Sequence, residues 1–202
     1  FILRLLLFIH KEIANYGIVI MIFSLIMAIV FSPLTIFSYR SMQKMSELQP
    51  KIQAIQKRYK NDPRRMNQEI MELYRKYRVN PMSGCLPLLI QLPIFFALYA
   101  ILESTLELRG AVFIKHWIED LSQPDPYFIL PIFMGVMMFL QQKFQGTQTQ
   151  DPSQRYFAYF MPVIMVLIFL RFPAGIVLYW STYNVITVIE SIVIKRKFIK
   201  HV

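Results

Sequence analysis

GIVIMIFSLIMAIVFSPL, at residues 17–34, contains no charged side chain, and this run sets the class of the whole protein. An uninterrupted apolar run of about 18 residues is typical of a helix that crosses a lipid bilayer. Four further apolar runs follow, at residues 86–102, 127–140, 157–172 and 176–194. The sequence therefore predicts an all-α membrane protein with five transmembrane helices.

The composition supports one membrane-embedded domain over residues 1–202. Of these residues 55% are hydrophobic and 15% are aromatic, an excess that a soluble core of this size could not shield from water. The single cysteine, Cys85, excludes an internal disulfide and lacks the CxxC spacing of a structural zinc site. The sequence begins at Phe1 without a cleavable signal, so we expect any extracytoplasmic domain to lie upstream, outside this chain.

The distribution of charge predicts the orientation. Residues 38–82 hold 11 Lys and Arg against 4 Asp and Glu, whereas residues 103–126 hold 2 basic and 5 acidic residues. Loops rich in Lys and Arg remain in the cytoplasm, so the N-terminal end is predicted outside the cytoplasmic (inner) membrane and the basic C-terminal tail, residues 195–202, inside. The net charge of +10 is then explained by topology and lipid headgroups, and no DNA partner is expected.

Two segments are predicted to sit unusually in the bilayer. The run at residues 127–140 would span only about 21 Å as a helix, against a hydrocarbon core of about 30 Å, so local thinning of the membrane is expected. Residues 1–15 combine apolar faces with Arg4, His10 and Lys11, which favours an amphipathic helix lying at the outer interface. The alternative for residues 1–15 is the remainder of another span.

Residues 38–82 are predicted to form a cytoplasmic antiparallel hairpin of two amphipathic helices. Apolar residues recur at three-four spacing on each arm. They are Met45, Leu48, Ile52, Ile55 and Tyr59 on the first arm, and Met66, Ile70, Leu73 and Tyr77 on the second. Asp62 is placed to cap the second helix, Pro63 suits its first turn, and Asn80-Pro81 is predicted to end it.

The hairpin carries most of its basic residues outside these apolar stripes. The candidates for contacts with partners are Lys51, Lys57, Arg58, Arg64 and Arg65. A charged surface facing water and lipid headgroups is one interpretation, and a docking site for a partner protein is the other.

Six segments in order resemble the YidC family, the bacterial branch of the insertases shared with mitochondria and chloroplasts. The most specific is NPMSGCLPLLIQLPIFFALY at residues 80–99. The others are SPLT at 32–35, LQPKIQ at 48–53, DPYFILPIFMGVMMFLQQK at 125–143, FMPVIM at 160–165 and FPAGIVLYW at 172–180. The resemblance covers nearly the whole chain.

The resemblance implies a membrane protein insertase and chaperone rather than an enzyme, with no cofactor. Its five-helix core would enclose a hydrophilic groove open to cytoplasm and lipid but closed to the outside. Short hydrophilic segments of nascent membrane proteins would pass through this groove while their apolar helices enter the lipid bilayer. The ribosome, the targeting machinery and the general secretion channel are further partners that the resemblance suggests.

One position departs from the family. Members usually place an arginine five residues before the proline of the SPLT-like segment, and this chain has Ala28 there, either by natural divergence or by an introduced substitution. The remaining groove candidates are the polar or amphipathic residues of the spans, namely Gln91, Gln141, Gln142, Trp180, Ser181 and Asn184. Hydrogen bonding between helices is the alternative for the glutamines, and packing or an interfacial position is the alternative for Trp180.

Other function classes have weaker support. The sequence has no HExxH, GxSxG or Walker motif and no Asp/Glu pair within a span, so neither catalysis nor a metal site is predicted. Arg171 borders a span but is expected to extend to the outer headgroups. A small channel or transporter, and an assembly factor that cannot insert proteins by itself, remain as alternatives.

Overall fold

The computed structural model describes residues 2–84, 86–105, 108, 110–145 and 152–199. Cys85 and residues 200–202 lie outside the described residues, and so do the side chains of residues 195–199 in the basic tail.

Eight α-helices account for most of the described chain, as an all-α membrane protein requires. In order they are α1 (Ile2–His10), α2 (Tyr16–Glu47), α3 (Gln49–Arg58), α4 (Pro63–Lys76), α5 (Leu86–Ser104), α6 (Ile129–Gln145), α7 (Pro152–Phe169) and α8 (Ala174–Ile199). A short 3₁₀ helix at Pro81–Gly84 precedes α5.

Five of these helices correspond to the predicted spans. Within the described chain three have the length and hydropathy of membrane spans, at Tyr16–Glu47, Leu86–Ser104 and Ala174–Ile194. The apolar parts of the other two are shorter, at Ile129–Phe144 and Tyr159–Phe169.

The helix ends differ from the predicted span ends at several points. Helix α2 continues through Pro33 to Glu47, well past the predicted end at residue 34, because its later turns pack Thr35, Tyr39 and Met42 into the protein. Helix α6 begins two residues later than predicted and extends to Gln145. Its backbone is therefore about 26 Å long, closer to the bilayer thickness than the predicted span.

Helix α8 is the centre of the bundle and packs against α6 on one side and α2 on the other. Ile176, Val177 and Tyr179 near its start are fully buried in the main hydrophobic core. Helix α1 lies against α2 and α5 and buries Leu6, while Phe8 is 68% exposed.

The hairpin forms, with a different apolar contact at its base. Asp62 caps α4 by accepting a hydrogen bond from the Arg65 backbone N–H at 3.1 Å, as predicted. Helix α4 ends at Lys76 rather than at Asn80, because Arg78 adopts a left-handed conformation with φ of 52°. The Val79 N–H then bonds to the Tyr74 carbonyl, which is the closing bond of a Schellman motif.

This early turn changes which side chains hold the two arms together. Leu48, Ile52 and Val79 form a small buried cluster, and Tyr74 packs against it together with Met45, Ile70 and Leu73. Tyr77, which the spacing placed on the apolar stripe, is instead 40% exposed.

Candidate functional site

One end of the bundle is covered by a loop, residues 110–128 together with Leu108, which we call the capping loop. Its Leu108, Ile118 and Leu121 are buried in the main core. The loop is pinned by Asp125, which is 1% exposed. Its carboxylate accepts hydrogen bonds from the Trp117 indole at 2.8 Å, from the Tyr127 N–H at 3.1 Å and from the Leu130 N–H at 2.7 Å. The last of these bonds caps the first turn of α6.

The capping loop also contacts the N-terminal ends of α2 and α8. Asn15 caps α2 through its side-chain oxygen and donates its amide to the Phe113 carbonyl at 3.0 Å. The Ala174 and Gly175 N–H groups at the start of α8 donate to loop carbonyls at 2.7 and 2.9 Å. A Cβ on Gly17 would lie 2.0 Å from the Phe113 ring, so the loop approaches α2 as closely as a glycine allows. The N-terminal ends of α2, α6 and α8 therefore all contact the capping loop.

A continuous polar seam runs inside the bundle between α2, α5 and α8. It consists of Ser24, Thr35, Gln91, Tyr179 and Tyr183, and all five are buried. The Gln91 amide donates to the Tyr179 hydroxyl at 2.7 Å. The Ser24 hydroxyl lies 3.2 Å from the Tyr179 carbonyl, and the Tyr183 ring lies beside that of Tyr179, 6.3 Å away between centroids.

Three polar atoms near this seam have no hydrogen-bond partner among the described residues. They are Gln91 Oε1, Ser181 Oγ and Asn184 Nδ2. Their residues are only 3%, 2% and 3% exposed, so water does not reach them freely. A buried polar group left unpaired costs about 1–3 kcal/mol, which makes these atoms candidates to bind a polar guest.

Ala28 lies on the face of α2 that packs into the bundle, one turn after Ser24, and is 1% exposed. The structure thus brings Ala28, Gln91, Ser181 and Asn184 into the buried interior of the helix bundle. All four side chains are uncharged.

The other three groove candidates have different surroundings. Trp180 is 7% exposed and stands edge-on to the rings of Phe95 and Phe169, at 5.7 and 5.3 Å between centroids. Gln141 and Gln142 are half-buried in the last turns of α6, towards the end of the bundle that carries the hairpin.

The hairpin cations lie on the surface, and three of them contact tyrosine rings. Lys51 donates to the Tyr77 hydroxyl and lies over its ring, and this ammonium lowers the pKa of the Tyr77 phenol below its usual value. Arg58 and Arg65 lie 5.6 and 5.4 Å from the centre of the Tyr59 ring. Lys57 and Arg64 are exposed on the same surface.

The structure also places Arg171 and tests for a metal site. Arg171 is exposed in the turn between α7 and α8. Among the described residues, no group of three or more His, Cys, Asp or Glu side chains could hold a metal ion.

Sequence reasoning missed four of the five residues of the polar seam, namely Ser24, Thr35, Tyr179 and Tyr183. A signal was present, because Ser24, Ala28 and Thr35 are separated by four and seven residues, which places them on one stripe of α2 among large apolar residues, and Tyr179 and Tyr183 are one turn apart on α8. Small and polar residues on one stripe of an apolar helix indicate the face that packs against other helices.

Comparison with known proteins identifies relatives over nearly the whole chain. The family model described as 60Kd inner membrane protein matches residues 8–201. Membrane protein insertase YidC of Geobacter metallireducens is 48% identical over 194 residues, which cover 96% of this chain and 36% of the relative. The Haemophilus ducreyi protein of the same name is 49% identical over 196 residues, covering 97% of this chain and 36% of the relative. The chain thus spans about a third of the length of these curated relatives.

A solved structure agrees with these relatives. It is an active YidC insertase crystal structure with the first transmembrane domain resolved, and it matches with a TM-score of 0.73 and 32% sequence identity. The match covers 90% of this chain and 42% of that chain.

Proposed function

The chain belongs to the 60Kd inner membrane protein family, and on that basis we propose that it is a membrane protein insertase. It is a bacterial inner-membrane protein whose relatives are named membrane protein insertases. The proposed activity is to move short hydrophilic segments of nascent membrane proteins into the bilayer and to release their apolar helices into lipid, without a chemical reaction or a cofactor.

The observation that carries this proposal is the set of unpaired polar atoms buried among membrane-spanning helices. Gln91 Oε1, Ser181 Oγ and Asn184 Nδ2 have no hydrogen-bond partner in the described chain, although each residue is at least nine-tenths buried. In hydrocarbon such groups have no water to bond to, so a polar substrate segment would gain hydrogen bonds that the bundle alone does not supply.

The free energies of placing side chains in a membrane indicate what the substrate supplies and what the protein must supply. An Asp, Lys or Arg at the centre of a membrane costs about 2.5–3.5 kcal/mol, whereas each Leu contributes roughly −0.5 kcal/mol. An apolar substrate helix therefore supplies its own driving force, and the protein has only to lower the barrier for the polar segment attached to it. A seam of hydrogen-bonding groups inside the bundle would do this.

The direction of insertion follows from the two ends of the bundle. We place the basic hairpin end in the cytoplasm and the capping loop outside, because residues 38–82 are strongly basic and residues 103–126 are acidic. Substrate would enter from the hairpin end and pass Gln141 and Gln142 before it reaches Ser181 and Asn184. Trp180 would then support the interior through its aromatic contacts rather than by touching substrate.

The proposed partners follow from placing the hairpin end in the cytoplasm. Nascent membrane proteins and the lipid bilayer are the proposed primary partners. The exposed cations Lys57 and Arg64 on the hairpin are available to the ribosome, the targeting machinery or the general secretion channel.

The test is insertion by this chain in liposomes. A single-span substrate with a short polar outer tail is added, and the rate at which the tail becomes protected from protease is measured against empty liposomes. Insertion above the empty-liposome rate is expected, and Asn184→Leu should reduce it about fivefold because the buried amide is removed at nearly constant volume.

The matched control is Thr182→Val on the same helix. The Thr182 hydroxyl bonds back to the Leu178 carbonyl at 2.8 Å and is only half-buried. Its loss should leave the rate unchanged. Equal rates with and without the protein would refute the insertase proposal, and equal losses in both variants would refute the role of Asn184.

A further inference from the structure

An exposed apolar patch lies where the capping loop joins α6, and it consists of Tyr127, Phe128 and Ile129. These side chains are 60%, 46% and 48% exposed. Residues 126–142 contain no charged side chain, whereas residues 115–120 of the same loop hold one Lys and two acidic residues. The patch is therefore an uncharged, apolar part of an otherwise polar loop.

The backbone of Phe128 has a conformation that bulky residues rarely adopt. Its φ is 58°, in the left-handed region that favours Gly, Asn or Asp. Asp125 holds this turn, because its carbonyl accepts the Phe128 N–H at 3.2 Å and its carboxylate accepts the Tyr127 and Leu130 N–H groups on either side. A bulky residue persists in such a position only where the surrounding structure enforces it. The fold thus fixes the backbone at Phe128 while the ring remains exposed.

The patch continues the exposed face of α6. Ile129, Ile132 and Val136 follow three-four spacing on this helix, and the last two are 55% and 49% exposed. Since α6 is one of the five spans, these exposed apolar side chains face the lipid. Tyr127 and Phe128 extend the same apolar surface beyond the first residue of the helix.

This extension lies on a span that is short for a bilayer. The 17 residues of α6 cover about 26 Å, against a hydrocarbon core of about 30 Å. A short span is stabilised in the membrane by flanking residues that remain at the interface. Tyr is enriched at the headgroup level, and Phe suits the boundary between headgroups and acyl chains.

We propose that Tyr127, Phe128 and Ile129 form a lipid anchor, which binds the boundary between headgroups and acyl chains in the outer leaflet and sets the depth of α6. The occupant of the patch is the bilayer, because the patch is continuous with the lipid-facing side of a span. Helix α6 packs along α8, so the anchor also holds the central helix of the bundle at a fixed height. The anchor goes beyond the proposed insertase function and does not depend on it.

The experiment measures the depth of the patch in vesicles of phosphatidylethanolamine and phosphatidylglycerol. A nitroxide is attached at Ile129→Cys in the Cys85→Ser chain, so that Phe128 stays intact. Electron paramagnetic resonance gives its collision rates with oxygen, which concentrates in lipid, and with a nickel complex, which stays in water. The label should collide more often with oxygen. A label at Gln123→Cys, exposed in the same loop, should collide more often with the nickel complex.

Three substitutions in the chain labelled at position 129 test the ring itself. Phe128→Asn removes the ring and supplies a residue that tolerates positive φ, so the turn is kept. It should lower the ratio of oxygen to nickel collision rates about threefold, as the patch leaves the lipid. Phe128→Trp keeps an aromatic ring and should keep the ratio. Val112→Asn removes a side chain that is 41% exposed elsewhere in the loop, and it should leave the ratio unchanged.

Each contrary result overturns the anchor. A label at position 129 that meets the nickel complex as often as the label at position 123 places the patch in water. A label shielded from both reagents indicates that a second copy of the chain covers the patch instead of lipid. An unchanged ratio in Phe128→Asn, or an equal loss in Phe128→Trp or Val112→Asn, shows that the Phe128 ring does not set the depth.

Discussion

Replacing Asp125 with Asn tests whether the capping loop seals the bundle. The carboxylate accepts three hydrogen bonds, from the Trp117 indole and from the Tyr127 and Leu130 N–H groups, and the residue is 1% exposed. An Asn side chain offers only one oxygen, so its NH₂ group must face at least one of these donors. The substitution removes a hydrogen bond to a charged acceptor and leaves a buried donor unpaired.

The expected cost follows from these contacts. A hydrogen bond to a charged group contributes about 1.5–3 kcal/mol, so we expect Asp125→Asn to destabilise the protein by about 3 kcal/mol. For a chain of about 200 residues this lowers the midpoint of thermal unfolding by roughly 6–12 °C. The assay is thermal unfolding in detergent micelles followed by tryptophan fluorescence, because Trp117 reports directly on the bond that is changed.

The matched control is Asp120→Asn in the same loop. Asp120 accepts from the Ser122 N–H at 2.8 Å and the Ser122 hydroxyl at 2.6 Å. These are contacts within a short turn at a half-buried position, so the control should lose less than about 1 kcal/mol. In liposomes, Asp125→Asn should also release a trapped fluorescent dye faster than Asp120→Asn does. Equal midpoints for the two variants would refute the view that Asp125 holds the seal.

Three other substitutions test separate contacts. Tyr179→Phe removes the hydroxyl that accepts the Gln91 amide and should cost about 1–3 kcal/mol in detergent unfolding, because that amide is left buried and unpaired. Gly135→Ala should cost about 1–3 kcal/mol by the same measurement, because its Cβ would lie 2.3 Å from Val166 of the neighbouring helix. Asp62→Ala removes the cap of α4 and should cost about 1 kcal/mol, measured as faster amide hydrogen exchange in that helix.

Each of these has an internal control. Adding Gln91→Leu to Tyr179→Phe should restore part of the stability, since no buried amide is left; simple addition of the two losses would contradict the coupling. Val166→Ala should relieve the clash created by Gly135→Ala. Failure to do so would show that the contact between Gly135 and Val166 does not set the spacing of the two helices. Asn61→Ala, beside the cap, should leave exchange unchanged, and an equal effect would rule out capping by Asp62.

The hairpin shows how far local sequence rules extend. The Asp62 cap, the start of α4 at Pro63 and the burial of Leu48 and Ile52 are all as predicted, because capping and three-four spacing act between residues close in sequence. The spacing did not predict that Tyr74, rather than Tyr77, packs against the buried cluster. It depends on the left-handed turn at Arg78, a conformation that few non-glycine residues adopt.

The membrane-spanning helices show where sequence periodicity no longer predicts which side chains are buried. In α2, Ala28 is 1% exposed while Ile29 and Val30 are 61% and 60% exposed, yet all three are apolar. A soluble helix marks its exposed face with charge, but lipid accepts the same residues as the core, so periodicity does not reveal which face meets another helix.

The sequence by itself determined the helical class, the five apolar runs, the charged hairpin and its cap, since these depend on composition and on neighbours within a few residues. Only the tertiary structure decided that Gln91 meets Tyr179 across 88 positions and that the capping loop bonds to Asn15 and to the first turn of α8. Those contacts join segments far apart in sequence, and in a bilayer the polar atoms they pair have few alternative partners, so the packed bundle alone selects them.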